Sequence, residues 1–281
     1  METPVSFGLV RRAPSPPLAG LISRMAGFRE AARGEFHQRE TASLVVPLIV
    51  SFGTPFRIAY DRDPRAEDRR PSFAAGLHPG PVHIRSDGGA ECVQVDFTPL
   101  GAFHLFGGAM PELAGRIVDI ADVFGAAGRR LRERLGATNR WQVRFALLEA
   151  FIAAHARHQP SPEIAFAYHT LMGARGDARI TSLANDIGWS RKHFVRRFRG
   201  EIGLGPKSVA RIMRFQHACD LARRRAPGGW AMIAAQSGYA DQAHLIREFA
   251  RLAGEPPMAW ARRARLTEDR LARVAGKEGD W

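Results

Sequence analysis

The chain has 281 residues, 45% of them hydrophobic and 25% charged, which is ordinary for a globular protein and long enough for two domains. Its two cysteines, Cys92 and Cys219, stand far apart and suit reduced thiols rather than a disulfide framework, and no stretch approaches the ~18 apolar residues of a membrane span. The net charge of +13 is unusual and unevenly placed, because residues 179–225 hold 12 basic and 3 acidic side chains, a density that attracts a polyanion.

In chain order, residues 1–19 are Pro-rich and predicted irregular, a tether. Arg11 and Arg12 are followed by Pro14, Pro16 and Pro17 with no apolar segment or cleavage site, so a cytoplasmic protein without a secretory signal is expected. Residues 21–28 read as a short strand or edge element, and residues 43–52, rich in Leu, Val, Ile and Phe, as a buried strand. Residues 61–71 are charged and full of breakers, hence a solvated loop. Further strands are predicted at 72–78, 82–85 and 92–97, with Gly76, Gly80, Gly88 and Gly89 as hairpin turns. In the last, Val93, Val95 and Phe97 alternate with Cys92, Gln94 and Asp96, the period of a half-buried strand.

Helical spacing takes over after Thr98. A short helix is predicted at 100–106, ending at Gly107-Gly108, and a second at 120–135 with Val123, Ala127, Leu131 and Leu135 on one face. A third, at 139–155, carries Trp141, Phe145, Leu148 and Ile152, with Asn139 as its cap. Strands first and helices second make residues 1–157 an α+β unit. The run HQPSP at 158–162 is the linker. A helix at 163–172, with Ile164, Tyr168 and Leu171 inward, opens a second domain over 163–265, and 266–281 is the tail, the end of a polar and basic stretch beyond Trp260 whose helix frays through Leu266 and Leu271.

The second domain contains a pattern that occurs twice. Ile180, Leu183, Ala184 and Ile187 lie at helical spacing, Gly188 breaks the helix, Ser190 caps the next, and Phe194 and Phe198 form its buried pair. Fifty residues on, Trp230, Ile233, Ala234 and Gly238 repeat the first part. The offset then becomes fifty-one, with Asp241 for Ser190, Leu245 for Phe194, Phe249 for Phe198, Gly254 for Gly203 and Pro257 for Pro206. A period kept across such unlike residues marks a duplicated helix-turn-helix unit. Residues 207–223 form the helix between the copies, burying Ile212, Phe215, Cys219 and Ala222, with Arg211 and Arg214 solvated or near phosphate. Trp189, Trp230, Tyr239 and Trp260 occupy matched places in the repeat and are read as core. Arg223, Arg224 and Arg225 read as a helix C-terminal cation cluster that also suits phosphate.

The segments ITSLANDIGWSRKHFVRRFRGEIGLGP and WAMIAAQSGYADQAHLIREFARLAGEPPMAW resemble the tandem helix-turn-helix domain of AraC-type (AraC/XylS) transcription regulators, the second most specifically through G-[FY]-x-D-Q-x-H-L-x-R-x-F and P-x-x-[WY]. The resemblance implies an all-α domain of seven helices whose two recognition helices enter successive major grooves. Arg179 departs from it, standing where the family has a capping Ser or Thr. The run VQVDFTPLGAFHLFGGAMPELAGRIVDIADVFGAAGRRLRERL resembles the sensing half of some AraC-type regulators, which implies a cupin-like β-rich sensory domain with helices but transfers no ligand-binding residue.

The expected function is sequence-specific binding of promoter or operator DNA, with activation of transcription. In the first recognition helix Arg191, Lys192, Val195 and Arg196 are assigned to the groove, and Arg197 and Arg199 to phosphates. In the second, Gln242, Ala243, His244 and Arg247 face outward while Asp241 caps. RNA polymerase, a small-molecule effector and a second copy of the chain are candidate partners, and no membrane role is expected. One rival is a DNA-binding module without an effector. The other is a metal-dependent cupin-like enzyme carrying the helix-turn-helix pair. His78 and His83, with Glu91 downstream, lack the H-x-H pair of metal-binding cupins, and His104 sits on an apolar helix, so no metal and no other cofactor is expected. No nucleophile elbow, P-loop, paired Cys ligands or dinucleotide motif occurs, so the enzyme reading is not favoured.

Overall fold

The computed structural model describes residues 7–30, 35–224 and 228–275. Strands come first: β1 (Phe7–Arg12), β2 (Ile22–Glu30), β3 (Phe36–Glu40), β4 (Val46–Ser51), β5 (Phe56–Tyr60), β6 (Arg69–Arg70), β7 (Ser72–Ala75), β8 (Val82–Ser86) and β9 (Glu91–Phe97). Two helices, α1 (Pro99–Phe106) and α2 (Met110–Leu113), precede the last strand, β10 (Ile117–Asp119). The remaining elements are helical: α3 (Ile120–Gly136), α4 (Trp141–His155), α5 (Pro162–Gly173), α6 (Ile180–Asp186), α7 (Arg191–Ile202), α8 (Pro206–Arg223), α9 (Gly229–Gln236), α10 (Gln242–Ala253) and α11 (Pro257–Ala275). A β-rich half followed by a helical half is the expected fold class. Among the described residues no helix is long and apolar enough to cross a membrane.

The strands pair antiparallel in a six-stranded sheet, ordered β1-β2-β9-β4-β7-β10, and a four-stranded sheet, ordered β3-β8-β5-β6. Successive side chains of a strand point to opposite faces. In the larger sheet Ile49, Phe73, Ala75 and Cys92 join Phe56 and Ile58 of the smaller sheet in one apolar cluster. The alternate residues Leu48, Val50, Ala74, Val93 and Val95 join a second cluster with Leu105, Leu131, Phe145 and Leu148 of the helices. The larger sheet is therefore a middle layer, covered by a sheet on one side and helices on the other. That accounts for the unbroken apolar run of β4.

Several expectations are corrected by this arrangement. Residues 7–12, expected to be irregular, form β1 because Phe7 to Arg12 pair residue for residue with β2; the rest of that tether before Phe7 lies outside the described residues. The strand expected at 21–28 is not an edge but lies between β1 and β9. Cys92 and Asp96 are buried, so β9 is covered on both faces rather than one. The glycines at 76, 80, 88 and 89 close no hairpins, because β7, β8 and β9 alternate between the two sheets and each turn crosses from one to the other. The loop at 61–71 holds a buried carboxylate, Asp68, which accepts hydrogen bonds from Arg62 at 2.6 and 2.9 Å and from the Arg65 backbone at 2.7 Å. Asn139 caps nothing, since α4 starts at Trp141 with Arg140 at its N-cap.

The helices are fastened to the sheet by a buried cation. Arg144 of α4, 3% exposed, pairs with Glu91 of β9 at 2.7 Å and lies over the rings of Phe52 and Trp141. Burial opposes ionisation of Glu91, yet hydrogen bonds from Arg144 and Arg29 hold its carboxyl below the usual range. The helix-side core runs without a break into the C-terminal half, where α1 and α2 pack against α7. The linker is fixed rather than loose: Ser161, at the start of α5, donates backbone and hydroxyl hydrogen bonds of 2.7 and 2.9 Å to Glu201 of α7, and His158 N donates to His104 O at 3.1 Å. Burial pushes the Cys92 thiol up to about 12 and raises Cys219 as well, so both buried cysteines are free protonated thiols.

Candidate nucleic-acid interface

The two repeats fold into the same local structure. α6 meets α7 across Gly188 (φ 70°), and α9 meets α10 across Gly238 (φ 72°), a left-handed conformation that an L side chain adopts only with strain. The same backbone bond closes each turn, Trp189 N to Ala184 O at 2.9 Å and Tyr239 N to Ala234 O at 3.0 Å. Ser190 caps α7 by accepting from His193 N at 3.3 Å, and Asp241 caps α10 by accepting from His244 N at 2.6 Å. At α6 the N-cap Arg179 makes no side-chain bond, as its chemistry dictates.

Each recognition helix is anchored by buried rings. Phe194 and Phe198 are fully buried with centroids 5.5 Å apart. Phe249, equally buried, contacts Phe215 of α8 at 4.8 Å, Trp230 of α9 at 5.5 Å and Trp260 of α11 at 5.6 Å. Tyr239 and Trp260 are buried, while Trp189 and Trp230 are half-buried and packed on the core. Ile212, Phe215 and Cys219 of α8 are buried between the units, with Ala222 half-buried.

On the outer side of α7, Arg191, Lys192, Arg196 and Arg199 are exposed, and Val195 is half-buried. Arg196 Nη2 lies 3.1 Å from His193 Nδ1. Arg197 is exposed but donates to Glu201 at 2.8 Å, so its guanidinium is shared with the linker contact. On α10, Gln242, Ala243 and Arg247 are exposed, and half-buried His244 sets its ring edge-on to Tyr239 at 5.2 Å. Arg251, one turn beyond Arg247, is exposed on the same side. Its i,i+4 spacing to Arg247 is the sequence signal that marks it.

Two other cations are not where they were expected. Arg211 pairs with Glu248 at 2.9 Å, tying α8 to α10, and Arg214 donates to Gly176 O at 3.0 Å. Both therefore serve packing inside the helical half. Arg223 pairs with Asp220 at 3.1 Å and lies over Trp260, Arg224 is exposed, and Arg225 lies outside the described residues. The tail helix continues to Ala275, beyond Leu266, and the side chain of Leu271 lies outside the described residues.

Paired helices with capped, basic outer helices define a helix-turn-helix DNA-binding protein, and residues 183–263 match the family model described as a helix-turn-helix domain. The match spans both units in tandem, the arrangement that the resemblance of the sequence to AraC-type regulators implies. Among solved structures, the C-terminal domain of AraT, a response regulator from Geobacillus stearothermophilus, is similar at 20% identity over 38% of this chain and 88% of that one, with a TM-score of 0.35. ToxT from Vibrio cholerae aligns at 10% identity over 84% of this chain and 97% of its own, with a TM-score of 0.43. The AraC-like transcriptional activator CuxR aligns at 13% identity over 74% and 86%, with a TM-score of 0.31. No curated protein matches the chain in sequence.

Proposed function

We propose that this protein is a sequence-specific transcription regulator in which residues 163–265 read promoter DNA and residues 1–157 sense a small molecule or join two copies of the chain. The observation that carries the reading is the pair of structurally equivalent recognition helices, each anchored by a buried aromatic and each turning polar and cationic side chains outward. Arg191, Lys192, Val195 and Arg196 address bases in one groove, with Arg197 and Arg199 on the flanking phosphates. Gln242, Ala243, His244 and Arg247 address the second groove, and Arg251 adds a phosphate contact. The two faces differ in chemistry, so one protomer reads two unlike blocks.

The packing of α1 and α2 on α7, and the Glu201 contact to the linker, give the sensory half a direct hold on the first recognition helix. Activation through RNA polymerase in the cytoplasm, without catalysis by the chain, is the regulatory setting of this reading. Selection of fragments from a random DNA pool by the purified chain tests it. Enrichment of a site with two unlike blocks is expected, and enrichment of no common sequence would refute it.

A further inference from the structure

The histidine that the sequence paired with His78 has other neighbours in the fold. His78 stacks on Tyr60 and lies 2.9 Å from Asp61. His83 of β8 instead faces His37 of β3 and Asp63 of the loop that follows β5. Asp63 Oδ1 stands 3.1 Å from His83 Nδ1 and 3.5 Å from His37 Nε2, and all three donor atoms lie within 4.8 Å of one another. The antiparallel register sets His37 opposite Arg85 and Arg39 opposite His83, so the two imidazoles share one face of the ladder as a diagonal pair. The backbone that carries the carboxylate is tied down, because Arg62 donates to Asp63 O at 3.2 Å and is locked to buried Asp68.

We infer that His37, Asp63 and His83 form a binding site for one divalent ion of the zinc, cobalt and nickel class, placed to influence the second helix-turn-helix unit. Two imidazoles and one carboxylate are the donors such ions prefer, and they leave positions open for water or a further ligand. Donors at ~2.0–2.2 Å from one ion stand roughly 3.0–3.5 Å apart, which the two His–Asp separations already satisfy. Rotation of His37, whose side chain is 41% exposed, brings its nitrogen toward His83. The competing charge is Arg85, 3.6 Å from the other oxygen of Asp63, which the ion displaces. Arg39, opposite His83, adds a second competing charge, and its guanidinium also donates to Gly254 O at 3.3 Å and faces Glu255 at 3.8 Å.

That contact with Gly254 supplies the route to the DNA-binding half. Gly254 ends α10, and a Cβ there would lie 2.9 Å from Pro81, next to β8. Arg263 of α11 donates to Arg39 O at 2.7 Å and pairs with Glu255 at 2.6 Å, while Ala42 N donates to Leu252 O at 2.8 Å. The strand that carries His37 is thus fastened two residues later to the end of the second recognition helix. Drawing β3 and β8 around an ion moves that fastening. The route rests on the DNA-binding reading, whereas the site does not.

The test is titration of chelator-stripped full-length protein with CoCl2 and ZnCl2 in the absence of DNA, followed by DNA affinity measured with Zn2+ or with chelator. One Co2+ per chain is expected, displaced by Zn2+ and not by Mg2+ or Ca2+. His37→Ala and Asp63→Ala, both at exposed positions, should weaken binding about tenfold or more while far-ultraviolet circular dichroism stays unchanged. Arg85→Gln should tighten it, since a cation leaves the carboxylate. Absence of saturable binding, or affinity in both ligand variants unchanged from that of the unmodified chain, overturns the site. A several-fold Zn2+ effect on DNA affinity that vanishes in Asp63→Ala is the expected sign of transmission. Stoichiometric binding with no such effect overturns transmission, and neither result bears on whether the protein binds DNA.

Discussion

Truncating Phe249 to Ala removes the ring on which the second unit closes. The side chain is fully buried and sits within aromatic contact of Phe215, Trp230 and Trp260, which belong to three different helices. A Phe→Ala change in a core costs about 3–5 kcal/mol, and aromatic pairs are each worth about 0.5–1.5 kcal/mol beyond area. With three pairs lost at once, the upper end, about 5 kcal/mol, is expected. That is a large share of the ~5–15 kcal/mol that stabilises a typical domain. Urea unfolding followed by tryptophan fluorescence reads it directly, because Trp230 and Trp260 flank the cavity. Phe166→Ala, at a residue 51% exposed, is the control and should change stability by less than about 0.5 kcal/mol. A loss at Phe249 below about 2 kcal/mol would refute the assignment of this ring as the anchor of α10.

Arg196→Ala and Arg247→Ala should each cost about 1–3 kcal/mol of DNA affinity and relax preference at one base pair, with the urea midpoint unchanged. Loss of folding in either variant would show that these side chains hold the structure rather than read DNA. Affinity for a cognate fragment should fall with salt at a log–log slope of about −4 to −8, measured by fluorescence anisotropy; a flat response would show that the basic field is not the contact. The Asp68 carboxyl is lowered from 3.8 to about 2, chiefly by its hydrogen bond from Arg62, so it contributes stability above pH 3.8 that is lost as pH falls through about 2. Thermal melts of Asp68→Asn should accordingly show a shallower decline over that interval than the unmodified chain, and parallel curves would contradict the assignment.

The helical half was legible because the duplication checks itself: Gly188 and Gly238, Ser190 and Asp241, Phe198 and Phe249 each confirm the other's role without any tertiary knowledge. The β-rich half offers no such control. β3 reads Phe-His-Gln-Arg-Glu and β5 Phe-Arg-Ile-Ala-Tyr, short segments whose polar residues face solvent or ion pairs, and neither stands out as a strand in the sequence. β1 was concealed by the prolines that follow it. The glycine turns after β7 and β8 look like hairpins locally, and only the partition of strands between two sheets shows that they are crossings. His37 and His83 are forty-six residues apart and become neighbours through the register of β3 with β8, so no spacing rule could have joined them. Arg211 reads as solvated in the sequence for a similar reason, since its partner Glu248 lies on another helix.

The central claim is that both units read DNA together. The helix between them, α8, has 18 residues and spans roughly 27 Å at ~1.5 Å per residue, suited to two grooves ~34 Å apart on one face of the duplex. The decisive measurement is affinity for the selected site before and after insertion of five base pairs between its two blocks, about half a helical turn. The account predicts that the insertion reduces binding to the level of unrelated DNA. Unchanged affinity on the spaced site would contradict it, and would leave only one unit in contact with the bases.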